Sequence, residues 1–403
     1  MPSASDARAQ AAALLTATAV RERSAMVFAA VERGDSTYFR LDLARLDEAA
    51  DRVAVVTRRR YPDLTVPLHS RWRHFSVDGI DRAAFVASGA DGAERTRALI
   101  DLAVISVLLD AGAGRGWRYH EAETGQVWGR SEGLAVASLR AMQQGVFSAD
   151  PAAPWRADAA ALAQINSERL AAAFQHGPSN QLLGFDSRAA LLRRLGEVCA
   201  EDPQRFGIPA RPGNLLDYWL AHHQLLSASE ILHVLLVALG PIWPARVSLG
   251  GVPLGDCGRH RAVPGDGIVP FHKLSQWLAY SLIEPLEAAG IRVGGLDGLT
   301  GLAEYRNGGL FLDCGVIEPR DQRLLSCPLE ATSEPVVEWR ALTVILLDHL
   351  AAAVRARLGK SAQAFPLACV LEGGSWAAGR EIAFERRPDG SAPIAITSDG
   401  TLF

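Results

Sequence analysis

The sequence predicts a mainly α-helical protein that carries a few small β-hairpins. Three observations lead there. Apolar residues recur at helical spacing along much of the 403-residue chain. Capping and stop signals bracket several of these stretches. Strand-like runs are short and pair around tight turns, with no regular alternation of strand and helix.

The elements follow in chain order. Residues 1–19 read as a polar, Ala-rich helix without the basic start and apolar centre of a secretory signal. A helix is expected over residues 41–57, with Leu43, Leu46, Ala50 and Val53 on one face. Asp78 is placed as an N-cap, with Asp81 as its box partner. Residues 95–109 form a more apolar helix. Residues 117–120 and 126–128 flank a Thr-Gly turn and are expected to pair. The proline-rich stretch 149–154 is a loop and the best candidate boundary. Composition does not force two domains, so one large helical domain over 1–403 is expected, with 1–150 and 155–403 as its packed parts.

Asp186 or Ser187 starts a helix that continues through Val198. Residues 228–239 form the clearest helix: Ser227 and Glu230 make a capping-box pattern, and Gly240-Pro241 stops it. Residues 246–249 and 252–254 flank Gly250-Gly251, a two-residue hairpin signal. Residues 273–289 read as a helix that Pro285 kinks or breaks and Gly290 ends. A further helix spans 334–358, with Ser333 as cap, Pro335 in the first turn and Gly359 past the end. Residues 381–384 and 394–397 flank Pro-Asp-Gly and are expected to form a last hairpin.

Composition narrows the function. The chain is 49% hydrophobic and 21% charged, with net charge -4 and a pI of 6.2, an ordinary globular balance. It lacks the Lys and Arg excess of a phosphate-neutralising protein, so nucleic acid is not an expected partner. Five scattered cysteines with no CxxC pair suit a reduced, cytoplasmic compartment. The longest apolar run, 231–239, is too short to span a bilayer. A phosphate loop and HExxH are absent. Gly112, Gly114 and Gly116 read as a loop rather than a nucleotide site.

The densest polar stretch runs from Gly255 to Arg306. It holds Asp256, Asp266, His272, Lys273, Gln276, Glu304, Tyr305 and Arg306. Lys273, Gln276 and Tyr280 share a helix face that either lines a polar pocket or faces solvent. Glu304-Tyr305-Arg306 is either a surface ion pair or a carboxylate held for work on a reacting carbon. Cys257 and His260 have CxxH spacing, with His222, His223 and His272 elsewhere. Two ligands do not make a zinc site, so no metal or other cofactor is expected. Residues 68–74 interleave His69, Arg71, Trp72, Arg73 and His74. Such a segment serves as a small anion site, a nucleic-acid surface or a basic loop.

Residues 265–278 (GDGIVPFHKLSQWL) and 298–310 (GLTGLAEYRNGGL) resemble the signature stretches of the uracil-catabolism (URC pathway) family. So do WRYHE at 117–121 and GRSEG at 129–133, and the resemblance covers most of the chain. A second similarity is to the queuosine-salvage N-glycosidases. Lys273-Leu-Ser-Gln276, Thr300 to Arg306 and the stretch 74–84 occupy the places of that family's motifs, in the same order. Two departures stand out: Glu304 replaces an Asp, and Ser281 replaces an acid.

This second resemblance implies a helical fold related to the helix-hairpin-helix DNA glycosylases and metal-free hydrolysis of a ribosyl bond. Together the two imply a small ribosyl or ribose-phosphate substrate: ribosylurea or its 5'-phosphate, cleaved to urea and the sugar. Glu304 would stabilise charge on the anomeric carbon or activate water. Asp256, Asp266 and His272 are the candidate acids. Lys273, Arg306 and Arg71 would hold a phosphate. Gln276, Tyr305 and His74 complete the expected contacts. Amide cleavage of another ring-opened intermediate, or a non-catalytic or nucleic-acid-binding role, are the alternatives.

Overall fold

A computed structural model describes residues 4–110, 112–114, 116–222, 225–243 and 246–397. The longer helices are α1 (Ala4–Leu14), α2 (Ala17–Glu32), α3 (Leu46–Arg60), α4 (Gly92–Leu108), α5 (Arg130–Gln143), α6 (Phe185–Glu201), α7 (Leu215–His222), α8 (Ala228–Leu239), α9 (Lys273–Ala288), α10 (Tyr305–Asp313), α11 (Glu334–Leu358) and α12 (Trp376–Arg386).

Several ends lie where local chemistry puts them. Ser227 accepts the Glu230 N–H at 3.1 Å and starts α8. Gly359 closes α11 with φ of 65°. Other ends move. Asp91 caps α4 by accepting the Glu94 N–H at 2.7 Å, so α4 begins before residue 95. Asp78 is not a cap. It sits at φ 57° and pairs with Arg82, while Asp81 accepts the Ala83 N–H at 3.1 Å. α3 begins at Leu46, not residue 41, because Phe39–Leu41 pair antiparallel with Ile317–Pro319.

α9 carries Pro285 inside it. A proline leaves the carbonyl four residues back without its helical donor. Here that carbonyl belongs to Ser281, and the Trp72 indole donates to it at 2.6 Å. The helix therefore continues through the proline with its backbone satisfied.

The strand pairs are short. Tyr119–Glu121 with Gln126–Trp128 and Ser248–Leu249 with Val252–Pro253 are the expected hairpins. Cys257–Arg259 with Ile268–Pro270 is a third, unforeseen one. The C-terminal hairpin does not form. Residues 381–384 belong to α12, whose Ala378, Gly379, Ile382 and Ala383 are buried at helical spacing. Ile396–Thr397 instead run parallel to Leu329–Glu330.

α11 packs against α2 and α3, α9 against α4 and α8, and α10 against α12. One buried apolar cluster includes residues from Ala11 to Ile394. No helix among the described residues is long and apolar enough to cross a membrane.

Candidate active site

The helices border a cavity of 640 Å³ that opens to solvent. The first turn of α9 contributes Lys273 and Trp277, and the turn into α10 contributes Glu304, Tyr305 and Arg306. The end of α4 contributes Asp110, the start of α5 Arg130, and the segment before α4 His69 and His74. The backbone of residues 389–396 crosses one side.

Glu304 is the N-cap of α10. Its carboxylate accepts the Arg306 N–H at 2.7 Å and the Asn307 N–H at 2.6 Å. Asn307 is itself fixed, since Ser375 donates to its Oδ1 at 2.8 Å. Burial raises the Glu304 carboxyl above the usual range. Its two N–H bonds and the charges of Lys273 and Arg306 oppose that without cancelling it. Burial, and next the Arg340 charge, lower Lys273, while Asp256, Glu304 and Asp110 oppose them.

A second carboxylate, Asp110, lines the same cavity. Its Oδ2 accepts from Arg71 Nη1 at 2.8 Å, and its Oδ1 is buried with no hydrogen-bond partner among the described residues. Arg306 donates to the Gly390 carbonyl at 2.8 Å, tying Glu304's own helix to the crossing segment. The cavity thus gathers the carboxylates of Glu304, Asp110 and Asp389, the Lys273 ammonium, the guanidiniums of Arg130, Arg306 and Arg387 and the His69 and His74 imidazoles around an aromatic wall.

A family profile described as protein of unknown function (DUF1688) matches residues 13–403. The chain belongs to this DUF1688 family. Protein urg3 of Schizosaccharomyces pombe is 40% identical to it, over 97% of this chain and 98% of its own length. Uracil catabolism protein 4 of Lachancea kluyveri is 36% identical, over 96% and 97%.

In this DUF1688 protein Glu304, Lys273, Tyr305, Arg306 and His74 meet at the cavity. The three candidate acids do not. Asp256 is buried in a two-pronged ion pair with Arg340, at 2.7 and 2.8 Å, and accepts the Lys273 N–H at 3.0 Å. Burial would raise its carboxyl, but the Arg340 charge and these hydrogen bonds hold it below the usual range. Asp266 pairs with Arg23 at 3.1 Å. His272 takes a left-handed conformation, points its Nε2 at the Leu14 carbonyl at 2.9 Å and borders a different, small cavity.

Two expected binding groups also stand back from the cavity. Gln276 is 1% exposed, and both ends of its amide are engaged by Thr300. Tyr280, on the same face, donates to the Thr300 carbonyl at 3.2 Å. Arg71 lies one layer behind, 5.4 Å from the Trp277 ring, and holds Asp110 and Ser106 instead of a ligand. Cys257 contacts the Leu254 carbonyl, and His260 pairs with Glu338 at 2.8 Å. His223 lies outside the described residues.

Asp110 is a cavity residue that the sequence reading passed over, while His69 and Arg130 stood there only inside the stretches 68–74 and 129–133. Asp110 did leave a signal, because an acid just past the end of an apolar helix opposes the helix dipole.

Proposed function

We propose that this protein acts in uracil catabolism as an N-glycosidase that hydrolyses ribosylurea, or its 5'-phosphate, to urea and the sugar. The relative named for uracil catabolism and the motif resemblance suggest the substrate. The single observation that supports the chemistry is Glu304. It is a carboxylate clamped by two backbone N–H groups at a cavity wall, with a second carboxylate, Asp110, lining the same space.

Cleaving the bond to urea leaves positive charge on the anomeric carbon and ring oxygen. Glu304 takes the proton of the attacking water, and its raised affinity for a proton suits a base. Asp110 adds negative potential beside the developing cation. Lys273 and Arg306 provide donors for the substrate's hydroxyl or phosphate oxygens. Trp277 gives the sugar an apolar wall.

Purified, EDTA-treated protein incubated with ribosylurea and with its 5'-phosphate is expected to release urea from at least one of them. Glu304→Gln keeps an acceptor for the helix cap and removes the base, so release should fall about 10²–10⁴-fold while the melting temperature changes little. No urea from either compound, before or after divalent metals are restored, overturns the proposal.

A further inference from the structure

Urea departs badly as an anion, so the proposed reaction needs a proton donor at the leaving nitrogen. The three acids expected from sequence lie outside the cavity. Inside it, His74 is held neutral: burial, then the nearby Arg71 charge, bring its ring down to about 3. Asp110 is ion-paired, and Glu304 faces the water.

His69 differs from all of these. Its ring lines the cavity and stacks 6.2 Å from Trp277. Its Nδ1 lies 2.9 Å from Glu372 Oε2, and its Nε2 makes no hydrogen bond to the protein among the described residues. Glu372 is 7% exposed and receives two more donors, Arg60 Nη2 at 3.0 Å and the Tyr61 hydroxyl at 3.1 Å. A carboxylate on one ring nitrogen fixes the tautomer and aims the other. A proton carried on that other nitrogen can pass to a leaving group.

The backbone is built around this pair. Glu372 sits in a π-helical turn, Leu371–Ser375, of the kind that recurs at functional sites. Gly373 and Gly374 let the turn lie against α3: a Cβ at Gly374 would stand 2.5 Å from the Val53 carbonyl oxygen and 2.6 Å from Thr57 Oγ1.

We propose that His69 is the catalytic acid, that Glu372 is its positioning residue, and that the site takes N-ribosides with an amide-type leaving nitrogen. This rests on the N-glycosidase reading. As the bond between the anomeric carbon and nitrogen breaks, its electron pair stays on nitrogen and takes the Nε2 proton, so urea leaves neutral. Water adds to the anomeric carbon and gives its proton to Glu304. Solvent then returns the two residues to their starting states.

The test compares two leaving groups in one preparation, so the rate ratio is independent of the folded fraction. One substrate is ribosylurea, or its 5'-phosphate if preferred. The other is a 4-nitrophenyl ribofuranoside, whose nitrophenolate leaves without a proton. His69→Ala and His69→Gln should lower kcat/KM for the urea compound about 10²–10⁴-fold. The nitrophenyl compound should lose less than about tenfold, the span of a small change in barrier. Glu372→Gln should show the same selectivity at smaller size, which a purely structural defect would not. Equal losses on both substrates, or none on the urea compound, overturn the assignment of His69. If the wild type rejects the nitrophenyl compound, added imidazole decides: urea release restored in His69→Ala supports the assignment, and no restoration overturns it. A wild type that cleaves neither compound overturns the N-glycosidase reading, and this inference with it.

Discussion

Asp256 and Glu304 each hold the first turn of a helix, and their surroundings give them different work. Asp256 accepts the Lys273 N–H at the start of α9, but Arg340 closes over both of its oxygens. Glu304 makes the same kind of cap on α10 with one side open to the cavity. In sequence both are acids in one polar-rich stretch. What separates them is Arg340, 84 positions from Asp256. Removing one partner of a buried pair strands the other charge, so Arg340→Met should destabilise the fold by about 3–5 kcal/mol. Urea denaturation measures this directly, and a loss below about 1 kcal/mol, the level of an exposed pair, would contradict the structural role assigned here.

At the scale of elements, close backbone approach sets where the site residues stand. α12 lies so near α10 that a Cβ at Gly379 would be 2.2 Å from the Arg306 carbonyl oxygen. That oxygen is main chain and cannot swing aside. Gly379→Ala should push the helices apart, cost about 1–3 kcal/mol and weaken substrate binding through Arg306. Gly89→Ala is the control, since its Cβ would meet nothing within 4 Å. Equal melting temperatures for the two variants would refute the close-packing argument. Local code accounts for much of this level: Ser227, Pro335 and Gly359 marked helix ends in sequence and in structure alike. It failed where a partner came from far along the chain. Leu41 was drawn into the strand pair with Ile317, and residues 394–397 found Leu329 rather than the preceding turn.

Across the whole molecule, α11 packs on α2 and α3, joining helices some 300 residues apart in sequence, and one apolar cluster includes residues from both sides of the 149–154 loop. A shared core favours cooperative loss of structure. Scanning calorimetry is expected to show a single transition, and two resolved transitions would instead divide the chain into units that melt separately.

By itself the sequence determined the helical class, several helix ends and two local hairpins, and it singled out Lys273, Glu304, Tyr305, Arg306 and His74, which the fold brings to one cavity. Those rest on period, capping and short motifs, all of which act within a few residues. Only the tertiary structure decided which polar residues face the cavity. Asp256, Gln276 and Arg71 carry groups suited to chemistry, yet Arg340, Thr300 and Asp110 engage them inside the protein. His69 and Glu372, 303 positions apart, become a pair only because the π-helical turn is pressed against α3. A side chain's chemistry is written in its own position, but its availability depends on which distant partner meets its hydrogen-bonding groups once the chain has packed.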